Sequence, residues 1–266
     1  MNRIQARFAS LQQDGLKALI VYIGAGDPNL ESTRQLALAF DRAGVDILEL
    51  GVPFSDPLAD GLVNQLAAQR GLESGTTPPK LFETVAAIRR ASQLPIVFYV
   101  YFNLMHRCGV EKFIADAARA GVDGLLVLDL PPEEADTYEQ LMRDAGLCAI
   151  WLVAPTTPDE RIATIVKRGT GFIYYISREG VTGMQAKVAG NLADRVALIR
   201  KHTSLPIAIG FGISNPEQAR EVAFAADGAV VGSAVVNQIA RLGNSPDLVP
   251  SLEVFVKSLA DGIKSR

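Results

Sequence analysis

Glu49, Asp56 and Asp60 crowd into one run, Glu49-Leu50-Gly51-Val52-Pro53-Phe54-Ser55-Asp56-Pro57-Leu58-Ala59-Asp60-Gly61. Glu49 ends an otherwise apolar stretch of strand character, and a period of two puts it on the same face as Ile47. A glutamate facing into a dry pocket has a raised pKa and can pass a proton in both directions. The plainer alternative is a glutamate that points outward or sits in a salt bridge. After it, Pro53 to Gly61 is rich in turn formers and reads as a surface loop of the kind that closes over active sites. Taken alone, Asp56 and Asp60 are as well explained as turn residues bonding the backbone.

The elements that must position these carboxylates are legible as an alternation. Strand patterns run at Ala18–Ile23, Asp46–Leu50, Pro95–Val100, Gly124–Leu128, Ala149–Val153, Phe172–Ile176, Pro206–Ile209 and Gly228–Val231. Helical patterns separate them, at Leu30–Ala43, Leu81–Ala91, Glu111–Ala120, Pro132–Ala145, Asp159–Lys167, Leu192–His202 and Asn215–Ala225. Asn215 before Pro216 is an N-cap with proline at the first helical position. A phrase recurs before strands: Ala43-Gly44-Val45-Asp46, Ala120-Gly121-Val122-Asp123 and, in weaker form, Ala225-Ala226-Asp227-Gly228. Continuous apolar strands alternating with helices imply a parallel sheet covered by helices. Eight such units in 266 residues predict an α/β protein with a single (β/α)8 TIM barrel, one domain over 1–266. Ile4, Phe8 and Leu11 add a short amphipathic helix at the N-terminus.

In this architecture chemistry collects where the strands end at their C-terminal side. Gly212 follows the seventh strand, and Gly232-Ser233 follows the eighth, each just ahead of a helical pattern. Glycine admits close backbone approach and a helix N-terminus favours an anion, so the three together suggest a phosphate site. Tyr22, Tyr99, Tyr101, Leu126 and Tyr174 lie near strand ends and can line an apolar pocket or simply fill the core.

Composition narrows the rest. The formal net charge of −3 and the lack of any dense Lys/Arg run argue against a nucleic-acid binder. No apolar run has membrane-spanning length, and Arg3, Gln5, Arg7 and Gln12 break up any signal-peptide core, so a cytoplasmic protein is expected. Cys108 and Cys148 read as reduced thiols. With two histidines, His106 and His202, and two cysteines, no structural metal site is expected.

The run from Glu49 to Gly61 closely resembles the signature of the tryptophan synthase alpha family. The resemblance extends in order through Ala25-Gly26-Asp27-Pro28, Asn103, Asp129-Leu130-Pro131, Ala154-Pro155-Thr156-Thr157, Ser177 to Gly183, Gly210 to Ser214 and Val231-Gly232-Ser233. It implies a cofactor-free retro-aldol cleavage of indole-3-glycerol phosphate to indole and glyceraldehyde-3-phosphate, with Glu49 and Asp60 as the acid–base pair. It adds Gly183 to the phosphate set and gives Thr182 the task of orienting Asp60. It implies a beta subunit as partner, in an alpha-beta-beta-alpha heterotetramer in which the partner carries pyridoxal phosphate, with Pro53, Asp56 and Asn103 at the interface. The lysines all fall in helical or loop patterns, which argues against a Schiff-base aldolase.

Some positions depart from the family pattern. Gly61 is followed by Leu62-Val63-Asn64-Gln65, where proline and then an isoleucine–glutamine pair are usual, and Tyr22 stands where phenylalanine is commoner. Beside the partner-dependent lyase stand a free-standing indole-releasing lyase, a weakly active allosteric binding subunit and a different phosphate-binding barrel enzyme.

Overall fold

In the computed structural model, residues 1–177, 185–210 and 212–264 are described. Eight parallel strands close into a barrel in sequence order: β1 (Ala18–Gly24), β2 (Ile47–Gly51), β3 (Ile96–Val100), β4 (Gly124–Val127), β5 (Cys148–Val153), β6 (Ile173–Ile176), β7 (Ile207–Gly210) and β8 (Gly228–Val231). The register pairs Tyr22 with Glu49 and Glu49 with Val97, and β8 closes onto β1 through Val21 and Val231. The expected strands are all present with ends shifted by at most a residue.

Period-two alternation divides the core. Residues such as Leu19, Val21, Leu48, Phe98, Leu125 and Ile209 face the helices, whereas Ile20, Ile47, Val97, Leu126, Ile150 and Val230 fill the barrel interior. The helices between strands are α2 (Leu30–Ala43), α3 (Leu62–Glu73), α4 (Pro78–Arg89), α5 (Phe102–Cys108), α6 (Val110–Ala120), α7 (Asp136–Asp144), α8 (Asp159–Arg168), α9 (Gln185–Arg200) and α10 (Pro216–Ala225). The last two, α11 (Ser233–Leu242) and α12 (Leu248–Lys264), follow β8, and α12 packs on α2 and α10. Helix α3 carries no apolar stripe that a periodicity search can detect. Only Ala67 and Gly71 are buried, and Leu62 and Leu66 are exposed.

The N-terminal helix α1 (Arg3–Gln13) seals the barrel floor, with Ile4, Phe8 and Leu11 buried and Phe8 against Phe172 at 5.6 Å between ring centroids. The repeated pre-strand aspartate has a common task there. Asp46 Oδ2 accepts from the Leu19 amide (2.7 Å), Asp123 Oδ2 from the Ile96 amide (2.8 Å) and Asp227 Oδ2 from the Ile207 amide (2.9 Å). In each case the aspartate leading into one strand ties down the start of the preceding strand. Each also meets cations: Arg7 and Lys264 on Asp46, Arg3 and Arg89 on Asp123, Arg200 and Lys17 on Asp227. No described helix is long and apolar enough to cross a membrane.

Candidate active site

A cavity of about 550 Å³ opens at the C-terminal end of the barrel. Glu49 sits in its wall near the end of β2, 1% exposed, inward like Ile47 and unlike Leu48 and Leu50. Neither carboxylate oxygen has a hydrogen-bond partner. A buried acceptor normally finds one, because an unmade bond forfeits the hydration of the group at a cost of roughly 1–3 kcal/mol. Burial, reinforced by the nearby Asp60 charge, pushes the Glu49 pKa up to about 8. At neutral pH the side chain therefore holds a proton that it can give away.

Asp60 is held instead of stranded. Tyr99 Oη donates to Asp60 Oδ1 at 2.7 Å, and Tyr101 Oη donates to Oδ2 at 2.8 Å. The Tyr101 oxygen also accepts from the Ala59 amide at 3.0 Å, and Gln65 on α3 donates to the Asp60 carbonyl at 2.8 Å. Phe54 stacks on Tyr101 with 5.2 Å between centroids. The carboxyl end of the loop is thus bound to β3 and α3, while Leu58 at its crest is 91% exposed. The phenols of Tyr99 and Tyr101 both have pKa values raised by burial and by Asp60, which keeps them as donors.

Tyr22 and Tyr99 meet edge to face at 5.1 Å, and both line the cavity together with Tyr174. Two glycines make room for these rings. A Cβ on Gly51 would collide with the Tyr22 hydroxyl, and one on Gly210 would sit 2.7 Å from that of Tyr174. Gly212, Gly232 and Ser233 also line the cavity, with Gly232 as the N-cap of α11 and no acidic residue in that helix's first turn. The first amides of a helix have no partners within it, so this corner suits an anion.

Three expected site residues stand outside the cavity lining. Leu126 is fully buried in the barrel interior, paired with Tyr99 on β3 and Ile150 on β5, and is not among the residues that line the cavity. Tyr101 lies behind the loop, holding Asp60, and does not line the cavity. Pro53, expected on a partner-facing surface, is buried and packs near Gly71 of α3, whereas Asp56 and Asn103 are exposed and border a second hollow with Phe54 and Arg107. Thr182 and Gly183 lie outside the described residues. Reading the sequence missed Asn64, Ile176, Ser177 and Gly210 as lining residues. Asn64 follows Asp60 by one helical turn, which is the signal that could have found it. Among the described residues lining the cavity there is no lysine.

Against known proteins, residues 8–264 match the family model described as tryptophan synthase alpha chain. The tryptophan synthase alpha chain of Opitutus terrae is 52% identical over 99% of this chain and 100% of its own length. That of Citrifermentans bemidjiense is 50% identical over 99% and 98%. Among solved structures, tryptophan synthase subunit alpha from Legionella pneumophila superposes with a TM-score of 0.91 at 35% identity, covering 99% of this chain and 98% of that one. The aminoacrylate-bound tryptophan synthase of M. tuberculosis gives 0.88 at 31% identity over 99% and 100%.

Proposed function

The chain belongs to the tryptophan synthase alpha chain family, and from that premise we propose that Glu49 and Asp60 are the acid–base pair with which it cleaves indole-3-glycerol phosphate. The reaction itself is the alpha reaction of tryptophan biosynthesis, a carbon–carbon lyase step that yields indole and glyceraldehyde-3-phosphate. One observation carries the residue assignment: Glu49 is a buried carboxyl with no partner, in the cavity that Asp60 also lines.

Indole leaves its side-chain carbon poorly until ring carbon C3 is protonated. Glu49, protonated below about pH 8, gives its proton to C3 and so makes the ring an electron-poor indolenine. The resulting carboxylate takes the proton of the hydroxyl on the carbon next to the ring. The C3–carbon bond then breaks, its electron pair restores the aromatic ring, and the hydroxyl oxygen becomes the aldehyde of glyceraldehyde-3-phosphate. Glu49 ends protonated, as it began. Asp60 accepts a hydrogen bond from the ring N–H and balances the positive charge that builds there. Positioned proton transfers of this kind are each worth roughly 10²–10⁴-fold.

The phosphate is assigned to Gly212, Gly232 and Ser233, supported by their place in the cavity lining, with Gly232 and Ser233 at the start of α11, and the family resemblance adds Gly183. Tyr22, Tyr99 and Tyr174 enclose the indole. The family resemblance gives Thr182 the task of orienting Asp60. The family implies a beta subunit, and the exposed Asp56 and Asn103 are the proposed contact, in an alpha-beta-beta-alpha assembly.

The experiment is to incubate the chain with indole-3-glycerol phosphate and follow glyceraldehyde-3-phosphate, with and without a beta subunit. Slow release that the partner accelerates is expected. Fast release that the partner leaves unchanged would instead favour a free-standing lyase. Substrate binding without any release would overturn the acid–base assignment.

A further inference from the structure

Among the described residues, the buried side-chain oxygens and nitrogens without a partner are both carboxylate oxygens of Glu49, Oδ1 of Asn64 and Nε1 of Trp151. Glu49 and Asn64 line the same cavity, whereas Trp151 belongs to the core between sheet and helices. Asn64 stands in the first turn of α3, one turn after Asp60. Its Nδ2 lies 3.4 Å from Asp60 Oδ1. That contact fixes which way the amide faces: turned over, the amide oxygen would oppose the carboxylate. With the nitrogen committed to Asp60, the oxygen is left as an acceptor beside the carboxyl and without a donor.

We propose that Asn64 is a substrate-binding, specificity-determining residue whose amide oxygen accepts a hydrogen bond from the ring N–H of the substrate, sharing that donor with Asp60. The inference rests on the assignment of Asp60 to the ring N–H. Asp60 already accepts from Tyr99 and Tyr101, one phenol on each oxygen. A ring N–H arriving there therefore meets a carboxylate whose lone pairs are partly used, and the Asn64 oxygen offers a further, neutral acceptor. Leaving that oxygen bare when no donor arrives is what turns it into a selectivity device. A site built to bond a donor discriminates against an analogue that lacks it, because the buried acceptor stays unpaired. Asn64 thus favours a ring with an N–H edge over an isostere without one.

The test uses two non-cleavable probes, 3-(indol-3-yl)propyl phosphate and its benzofuran counterpart, which replaces N–H by oxygen. Dissociation constants are measured by calorimetry for the intact chain, Asn64→Leu and Asn64→Ala, with glycerol 3-phosphate as a probe of the phosphate corner alone. The intact chain is expected to favour the indole. Both variants should lose about fivefold of that preference, the worth of one net hydrogen bond, and keep their affinity for glycerol 3-phosphate. An unchanged indole-to-benzofuran ratio would overturn the proposal. So would a parallel loss for both ring probes, which would make Asn64 a support for Asp60 and nothing more. If the intact chain binds glycerol 3-phosphate but neither ring probe, the indole pocket itself is misassigned and the role of Asn64 falls with it.

Discussion

Asp46 and Glu49 sit three residues apart on one segment of chain, both buried, at opposite ends of the barrel. Asp46, at the floor, bonds the Leu19 amide and pairs with Arg7 and Lys264. Glu49, at the mouth, bonds nothing. Asp123 repeats the floor pattern with Arg3, Arg89 and the Ile96 amide. A buried carboxylate surrounded by donors is fixed in place and serves the fold, because removing either partner strands the other. A buried carboxyl without donors costs stability in its charged form and is free to trade its proton, which is the property a reaction needs. Floor and mouth thus use the same functional group for opposite ends, and the partners decide which.

The sharpest way to break this contrast is Glu49→Gln. Cleavage of indole-3-glycerol phosphate should fall by about 10²–10⁴-fold, with no loss of stability in thermal melts at pH 7. At the floor the reverse is expected. Arg89→Met leaves Asp123 short of a buried partner and should destabilise the fold by about 3 kcal/mol in urea titrations, while turnover per folded molecule stays near that of the parent. A variant at the floor that loses turnover without losing stability would erase the distinction.

The pH dependence sharpens it further. The folded-state pKa of Glu49 is raised from its ordinary value to about 8. Its contribution to stability is therefore fully present below pH 4.5 and declines as pH rises through 8, where the buried group is forced to ionise. Glu49→Gln should melt higher than the parent above pH 8 and lose that advantage in acid. If Glu49 must enter the reaction protonated, kcat/KM of the parent should also fall above about pH 8. A profile flat to pH 10 would sink that assignment. The smallest effect is expected at Tyr99→Phe. It removes one donor from Asp60 and should lower kcat about tenfold, the cost of one bond to a charged group, with a melting temperature close to the parent's.

Much of this was legible before any coordinates. Strand length and alternation placed β1 to β8 almost to the residue, because each strand is a short, largely apolar run set between helix-length patterns. The run from Glu49 to Gly61 singled out both carboxyls. Helix α3 escaped because it buries little, and Asn64 escaped with it. The pre-strand aspartates were visible as a repeat, but not as strand caps, since their partners, such as Arg7 and Lys264, lie far away in sequence. The depth of Leu126 and Pro53 was hidden for a similar reason: a strand end or a loop residue is assigned a depth only by what packs over it.

What the sequence determined by itself was the order of elements, the closed parallel barrel and the family, all of which follow from local periodicity and from motifs contiguous along the chain. What only the tertiary structure decided was the state of each polar group. Whether Glu49 is left bare, whether Asp60 is clasped by two phenols and whether the Asn64 oxygen waits unpaired depend on which atoms from other strands and helices arrive within about 3 Å, and no pattern along one segment contains that information.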